Sequence, residues 1–252
     1  MPAPDIEPDM TREDFRELAA AGVKWLGEVG LGGVKDGPTA RKMVAWAREY
    51  GMKSTIHTGG PSIPGSGLIG ADIVLEADTD IVGHINGGHT ALPDREIRGI
   101  CEGCKRGLEI VHNDNERAAL YTLRLARERG ELGRILPGAD GPSGSDVQPL
   151  SILRMVAMLS SLGEVPAEVA FCFATGNATR TRGLDVRLIG DGCAADFVAL
   201  DRAQHSTRRT LLELVTLGDL PGVDMTIIDG TMRTSRSRNT QRAGTIPEIV
   251  AS

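Results

Sequence analysis

The sequence predicts an α/β fold: a parallel sheet built from βα units, followed by a small β-rich C-terminal segment. Three observations carry this. Short apolar runs alternate with amphipathic helical stretches from residue 12 to about residue 185, and that alternation is the pattern of parallel sheets. The runs are mostly apolar throughout rather than apolar on one side, as strands covered on both faces are. Beyond residue 184 the helical period is lost and turn signals appear at "GDG" and "DG".

Each element follows from local sequence. "REDFRELAA" (12–20) reads as a helix stopped by Gly22, and "VKWLGEVG" (23–30) as the first strand. "PTARKMVAWAREYG" (38–51) is a helix with Pro38 in its first turn and Gly51 as its stop. "KSTIHT" is the second strand, followed by a glycine-rich loop and a short helix around 70–77. "DIVGHING" is the third strand and "PDREIRGICEGCKRG" the next helix. "LEIVHN" is the fourth strand, and "NERAALYTLRLARERG" a helix with apolar 119, 120, 123 and 125 on one side. "RILPGAD" is the fifth strand, and two helices follow in 149–162 and 166–175. The expected division is therefore 1–183, the βα units, and 184–252, C-terminal β-strands and a polar tail.

Composition narrows the partners. Of 252 residues 40% are hydrophobic and only 3% aromatic, so a sizeable core must be aliphatic. The formal charge of −6 argues against nucleic acid or an anionic membrane. No apolar run approaches the ~20 residues of a membrane span, and the acidic, proline-rich "MPAPDIEPDM" is no signal peptide. The expectation is a cytoplasmic protein without nucleic-acid or membrane partners. The CxxC of Cys101 and Cys104 lacks the second close pair of a zinc ribbon, and it sits near a helix end rather than a helix start. Buried thiols are the simpler reading.

The chemistry lies at the strand ends. Glu28 is at the end of the first strand, His57 of the second, His84 of the third and Asp140 of the fifth. In a parallel sheet or βα barrel, all carboxyl ends lie on one face, where active sites form. Any one of these groups alone would read as a solvated or hydrogen-bonded side chain. Together, two imidazoles and two carboxylates suit zinc, iron or manganese. Such a metal makes hydroxide available at neutral pH, and a further carboxylate can move its proton. His112 also ends a strand and is a weaker candidate for the pocket; His89 falls in a loop and His205 on the surface. The "TGGPSIPGSG" loop lacks the lysine of a P-loop. It reads as a substrate-shaping loop in which Ser62 and Ser66 are possible hydrogen-bond donors.

"GEVGLG", "HTGGPSIPGS", "VGHINGG", "GADGPSGS", "ATGNAT" and "IDG…SRNT", in this order, resemble the amidohydrolase superfamily over about residues 12–249. Within it the chain looks most like the type that opens a cyclic enamide. The resemblance implies a partial (β/α)8 TIM-type barrel, its strands equivalent to the fourth to eighth, followed by part of a small β-sandwich. It implies Glu28 in the place of a bridging carboxylated lysine, His57 and His84 as metal-binding histidines, and Asp140 as the metal-site aspartate and proton shuttle. The implied cofactor is a divalent metal, Zn and/or Fe.

The family's His-x-His pair is not found among the five histidines of this chain. Five strands cannot close an eight-strand barrel, so a missing N-terminal segment or a homo-oligomer is expected. The resemblance implies a hydrolase of a C–N bond in a small cyclic amide or enamide. The alternatives are a non-catalytic metal-binding fragment needing a partner chain, and a mononuclear deaminase or lactonase.

Overall fold

A computed structural model describes residues 7–112, 114–141, 147–184, 189–248 and 250. The chain forms two compact units. The first is 1–146 with 181–183, and the second is 147–180 with 184–252. The helices of 151–172, expected with the βα units, thus cluster with the C-terminal strands.

The first unit is a five-stranded, all-parallel sheet in sequential order: β1 (Trp25–Val29), β2 (Lys53–Ile56), β3 (Ile81–Val82), β4 (Gly107–Val111) and β5 (Ile135–Gly138). Sequential parallel strands joined by helices form an arc of a TIM-type barrel. The helices are α1 (Arg12–Ala20), α2 (Gly37–Glu49), α3 (Ala71–Ala77), α4 (Asp94–Gly103) and α5 (Glu116–Glu128). Local chemistry sets their starts. The Asp36 side chain accepts from the Thr39 N–H at 2.8 Å and Asn115 accepts from the Ala118 N–H at 3.0 Å, each satisfying an amide that the first turn leaves open. The core between sheet and helices is aliphatic, with Met43, Ile56, Ile81, Ile97, Ile100, Leu108, Ile110 and Leu123 fully buried. Cys101 and Cys104 are buried free thiols, and burial pushes both up, Cys101 to about 11. Glu109 of β4 pairs with Arg182, whose guanidinium lies 5.6 Å from the centre of the Trp25 ring.

β3 is shorter than the third run suggests. After Val82 the chain turns at His84, where φ is 27°, and one more backbone bond to β4 follows, from the Ile85 N–H to the Glu109 carbonyl at 2.9 Å. The Asn86 side chain then takes over the work of a strand: it donates to the Val111 carbonyl at 3.0 Å and accepts from the Val111 N–H at 2.9 Å.

The second unit contains α6 (Ser151–Ser161), α7 (Ala167–Cys172), most of α8 (Ala178–Arg182) and an antiparallel sheet. That sheet is β6 (Phe197–Asp201), β7 (Gly222–Ile228) and β8 (Thr231–Thr234). Between β6 and β7 lies a helix the sequence reading does not mark, α9 (Leu211–Thr216), started by the Thr210 hydroxyl on the Glu213 N–H at 3.1 Å. Leu214 and Val215 bury it. At six residues it is too short for its period to stand out. No helix among the described residues is long and apolar enough to cross a membrane.

Candidate metal centre

The carboxyl ends of the sheet position the site. In β1 the pairing register to β2 shifts between Leu26 and Val29. Irregularities of this kind re-aim side chains beside functional sites, and Glu28 is the residue re-aimed. Past β2 the ladder runs one residue further, the His57 N–H donating to the Val29 carbonyl at 2.9 Å. Past β3 the Gly83 N–H donates to the Ile56 carbonyl at 2.9 Å. The Thr58 hydroxyl meets the carbonyls of Gly83 and His84 at 2.9 and 3.1 Å. These contacts hold His84 in its left-handed conformation. Gly83 is glycine for space: a Cβ there would lie 2.8 Å from the Ile56 carbonyl oxygen.

Three side chains converge. His57 Nδ1 and His84 Nε2 are 3.1 Å apart, His84 Nε2 and Glu28 Oε2 3.2 Å, and His57 Nδ1 and Glu28 Oε2 3.5 Å. The histidines are 2% and 7% exposed. Among the described residues this trio is the group of His, Cys, Asp and Glu side chains able to hold a metal ion.

The donor set fits such an ion in two respects. Donor atoms bound at ~2.0 Å around a tetrahedral cation stand about 3.3 Å apart, and the three sides here bracket that value. The ring orientation is also suitable. His57 Nε2 lies 3.2 Å from the Gly60 carbonyl, which can only accept, so the ring is oriented with Nδ1 toward the trio. Outer hydrogen bonds of this kind fix ligand orientation in metal sites.

His84 Nε2 faces both His57 Nδ1 and Glu28 Oε2, and the Glu28 carboxylate favours a proton on that nitrogen. Burial works against the charged forms, but the histidine hydrogen bonds and charges outweigh it and hold Glu28 down at about 2. In the same way, burial would lower His84, yet the Glu28 hydrogen bond and charge, with Asp140 and Asp114 behind them, raise it to about 9.

A cavity of about 410 Å³ opens on the trio, lined also by Leu31, Ser62, Gly87–Thr90, Asp114 and Asp140. Asp140 lies two residues past β5 with φ 48°. It is outside the three-ligand group but in the cavity wall. Burial pushes its carboxyl up, the Glu28 charge adds to this, and the two histidines oppose it. Ser62 lines the cavity, its hydroxyl 3.4 Å from His57 Nε2. Ser66 is used within the loop, accepting from the Ser62 and Ile63 amides at 3.0 and 3.2 Å and donating to the Ile63 carbonyl at 2.7 Å. His112 donates its N–H to the Gly138 carbonyl at 3.0 Å and is not among the cavity-lining residues. His205 is exposed.

Sequence reasoning passed over Asp114. It stands three residues past the end of β4, the kind of placement that singled out Asp140, and burial pushes its carboxyl up as well. His89, placed in a loop by the sequence, also reaches the cavity.

No protein-family model matches the chain. It is 40% identical over 245 residues to the enamidase of Eubacterium barkeri, covering 97% of this chain and 64% of that protein. A crystal structure of enamidase, described as a new member of the amidohydrolase superfamily, matches with a TM-score of 0.91 and 41% identity. That match covers 96% of this chain and 63% of the other. The chain thus spans a little under two thirds of enamidase. A zinc-bound adenosine deaminase from Xanthomonas campestris (19% identity, TM-score 0.54, 80% and 49% of the two chains) shares the fold. So does a dihydroorotase (19%, 0.58, 91% and 64%).

Proposed function

We propose that this chain, a homologue of enamidase and hence of the amidohydrolase superfamily, serves a metal-dependent hydrolysis of a C–N bond in a small cyclic amide or enamide. The observation that carries the reading is the Glu28–His57–His84 triangle, whose sides of 3.1–3.5 Å suit one divalent cation. Two imidazoles and one carboxylate suit zinc or iron. A cation held there supplies Lewis acidity toward a carbonyl and toward water.

The chain's own groups do the rest. His57 is oriented by the Gly60 carbonyl and His84 by the Thr58 hydroxyl on its own carbonyl, so the donor atoms need little rearrangement. Asp140 faces the same cavity with its carboxyl pushed up by burial. It is the group we assign to accept a proton from water and return it to the leaving nitrogen, since a base with a raised pKa works nearer neutral pH. Ser62 and Leu31 line the cavity, which supports assigning the Ser62 hydroxyl a hydrogen bond to a bound ring and Leu31 an apolar contact with it.

The cysteines are free and two of them buried, which supports a reducing compartment such as the cytoplasm. The decisive experiment measures metal content and hydrolysis together, on a panel of lactams, cyclic enamides and lactones. About one ion per chain with turnover of the amides supports the reading, whereas turnover of lactones alone supports a lactonase. A folded sample that takes up no zinc or iron refutes the ligand set.

A further inference from the structure

Upstream of the whole sheet, Glu7 sits in a short 3-10 turn, Glu7–Asp9, and is only 4% exposed. Its carboxylate accepts three backbone N–H groups from one loop: Gly30 at 3.0 Å on one oxygen, and Gly32 and Val34, each at 3.1 Å, on the other. A buried carboxylate is costly unless it is fully hydrogen-bonded, and here the partners are the amides of the segment that leaves β1. That segment begins two residues after Glu28. It carries Leu31, which lines the cavity between two of the clamped amides. The Leu31 N–H in turn points to the Glu28 carbonyl at 3.5 Å. Gly30 has φ 87°, and a Cβ at that position would lie 3.0 Å from Ile69, so the loop also packs closely on Ile69.

We propose that Glu7 is a positioning residue of the site. Three charge-assisted hydrogen bonds fix the β1–α2 loop, and through it the direction of Glu28 and the place of Leu31 in the cavity wall. This role rests in part on the metal-centre reading, because Glu28 is one of the three donors. The loop clamp itself is independent of it.

The test uses the whole chain and four forms of it: wild type, Glu7→Gln, Glu7→Ala and Ile97→Val. The last is a core change in α4, which does not contribute to the cavity lining, and serves as a control for stability loss. Two quantities are measured, amide hydrogen exchange at Gly30, Gly32 and Val34, and Co(II) affinity from its visible absorption. In Glu7→Ala, exchange at those three amides is expected to rise about tenfold or more. Co(II) affinity is expected to fall about 10–100-fold, as when outer partners of ligands are removed, and Glu7→Gln should fall between Glu7→Ala and wild type. Ile97→Val should leave both quantities near wild type. Unchanged exchange at the three amides overturns the clamp. Co(II) affinity in Glu7→Ala equal to that of Ile97→Val overturns the positioning role. If the wild type takes up no Co(II), the metal-centre reading fails, and the exchange result alone decides the clamp.

Discussion

A single proton governs what the trio can bind. Glu28 ordinarily titrates near 4.5 and is held at about 2, while His84 ordinarily titrates near 6.5 and is raised to about 9. In the ion-free protein their pairing therefore stabilises the fold in full between about pH 4.5 and 6.5. That stability is lost as pH rises through about 9 and as it falls through about 2. A cation needs the lone pair that His84 Nε2 gives to its proton, so uptake must release that proton. Apparent affinity is expected to rise about tenfold per pH unit below about pH 9 and to flatten above it, measured by Co(II) or Zn(II) titration from pH 6 to 10. An affinity independent of pH between 6 and 8 would place the proton elsewhere. Asp140 makes the contrasting case, since it stands outside the ligand group. Asp140→Asn is expected to keep the metal and lower kcat by about 10²–10⁴-fold, whereas His57→Ala and His84→Ala should lose the ion. Paired metal analysis and steady-state kinetics separate the two behaviours.

At the scale of elements, the site depends on how the shortest strand is held. β3 has only two residues in its ladder, and Asn86 joins the chain that follows it to β4 through both polar groups of Val111. Asn86→Ala would leave two buried backbone groups unpaired and is expected to cost about 2 kcal/mol or more, read as a shift of the urea midpoint. Because the same turn carries His84, metal affinity should weaken with it; a variant of wild-type stability would show that Asn86 is not structural. The legibility of the elements follows the same logic. The start of α2 could be read from Pro38 in its first turn, a local signal; the caps made by Asp36 and Asn115 on amides of their own first turns are equally local. The end of β3 could not be read, because "IVGHIN" has the apolar character of a strand and only the partner from β4 shows that the Asn86 side chain extends the pairing beyond Ile85. Nor could α9, where burial of Leu214 and Val215 outweighs a weak local pattern.

At the scale of the molecule, β1 and β5 are the outer strands of the five-stranded sheet, with no further strand paired to them among the described residues. Exposed strand edges favour pairing with other chains. Apolar side chains also stand exposed on the strands of the smaller sheet, Val198 at 56% and Met232 at 47%. Concentration-dependent association of the isolated chain is therefore expected, and light scattering across a dilution series measures it; a monodisperse monomer at all concentrations would count against free edges. What the sequence alone determined was the alternation of strands and helices, the aliphatic core and the presence of Glu28, His57, His84 and Asp140 at strand ends, because hydrophobic period and turn residues are local properties. The tertiary structure decided which of those four share one point. Donor separations of 3.1–3.5 Å depend on the β1 register shift, the turn at His84 and the Gly60 carbonyl, and these bring together residues up to 56 positions apart. It also decided that Glu7 reaches the loop after β1 and that Asp114 lines the cavity, since no local pattern in the chain encodes a contact made across the fold.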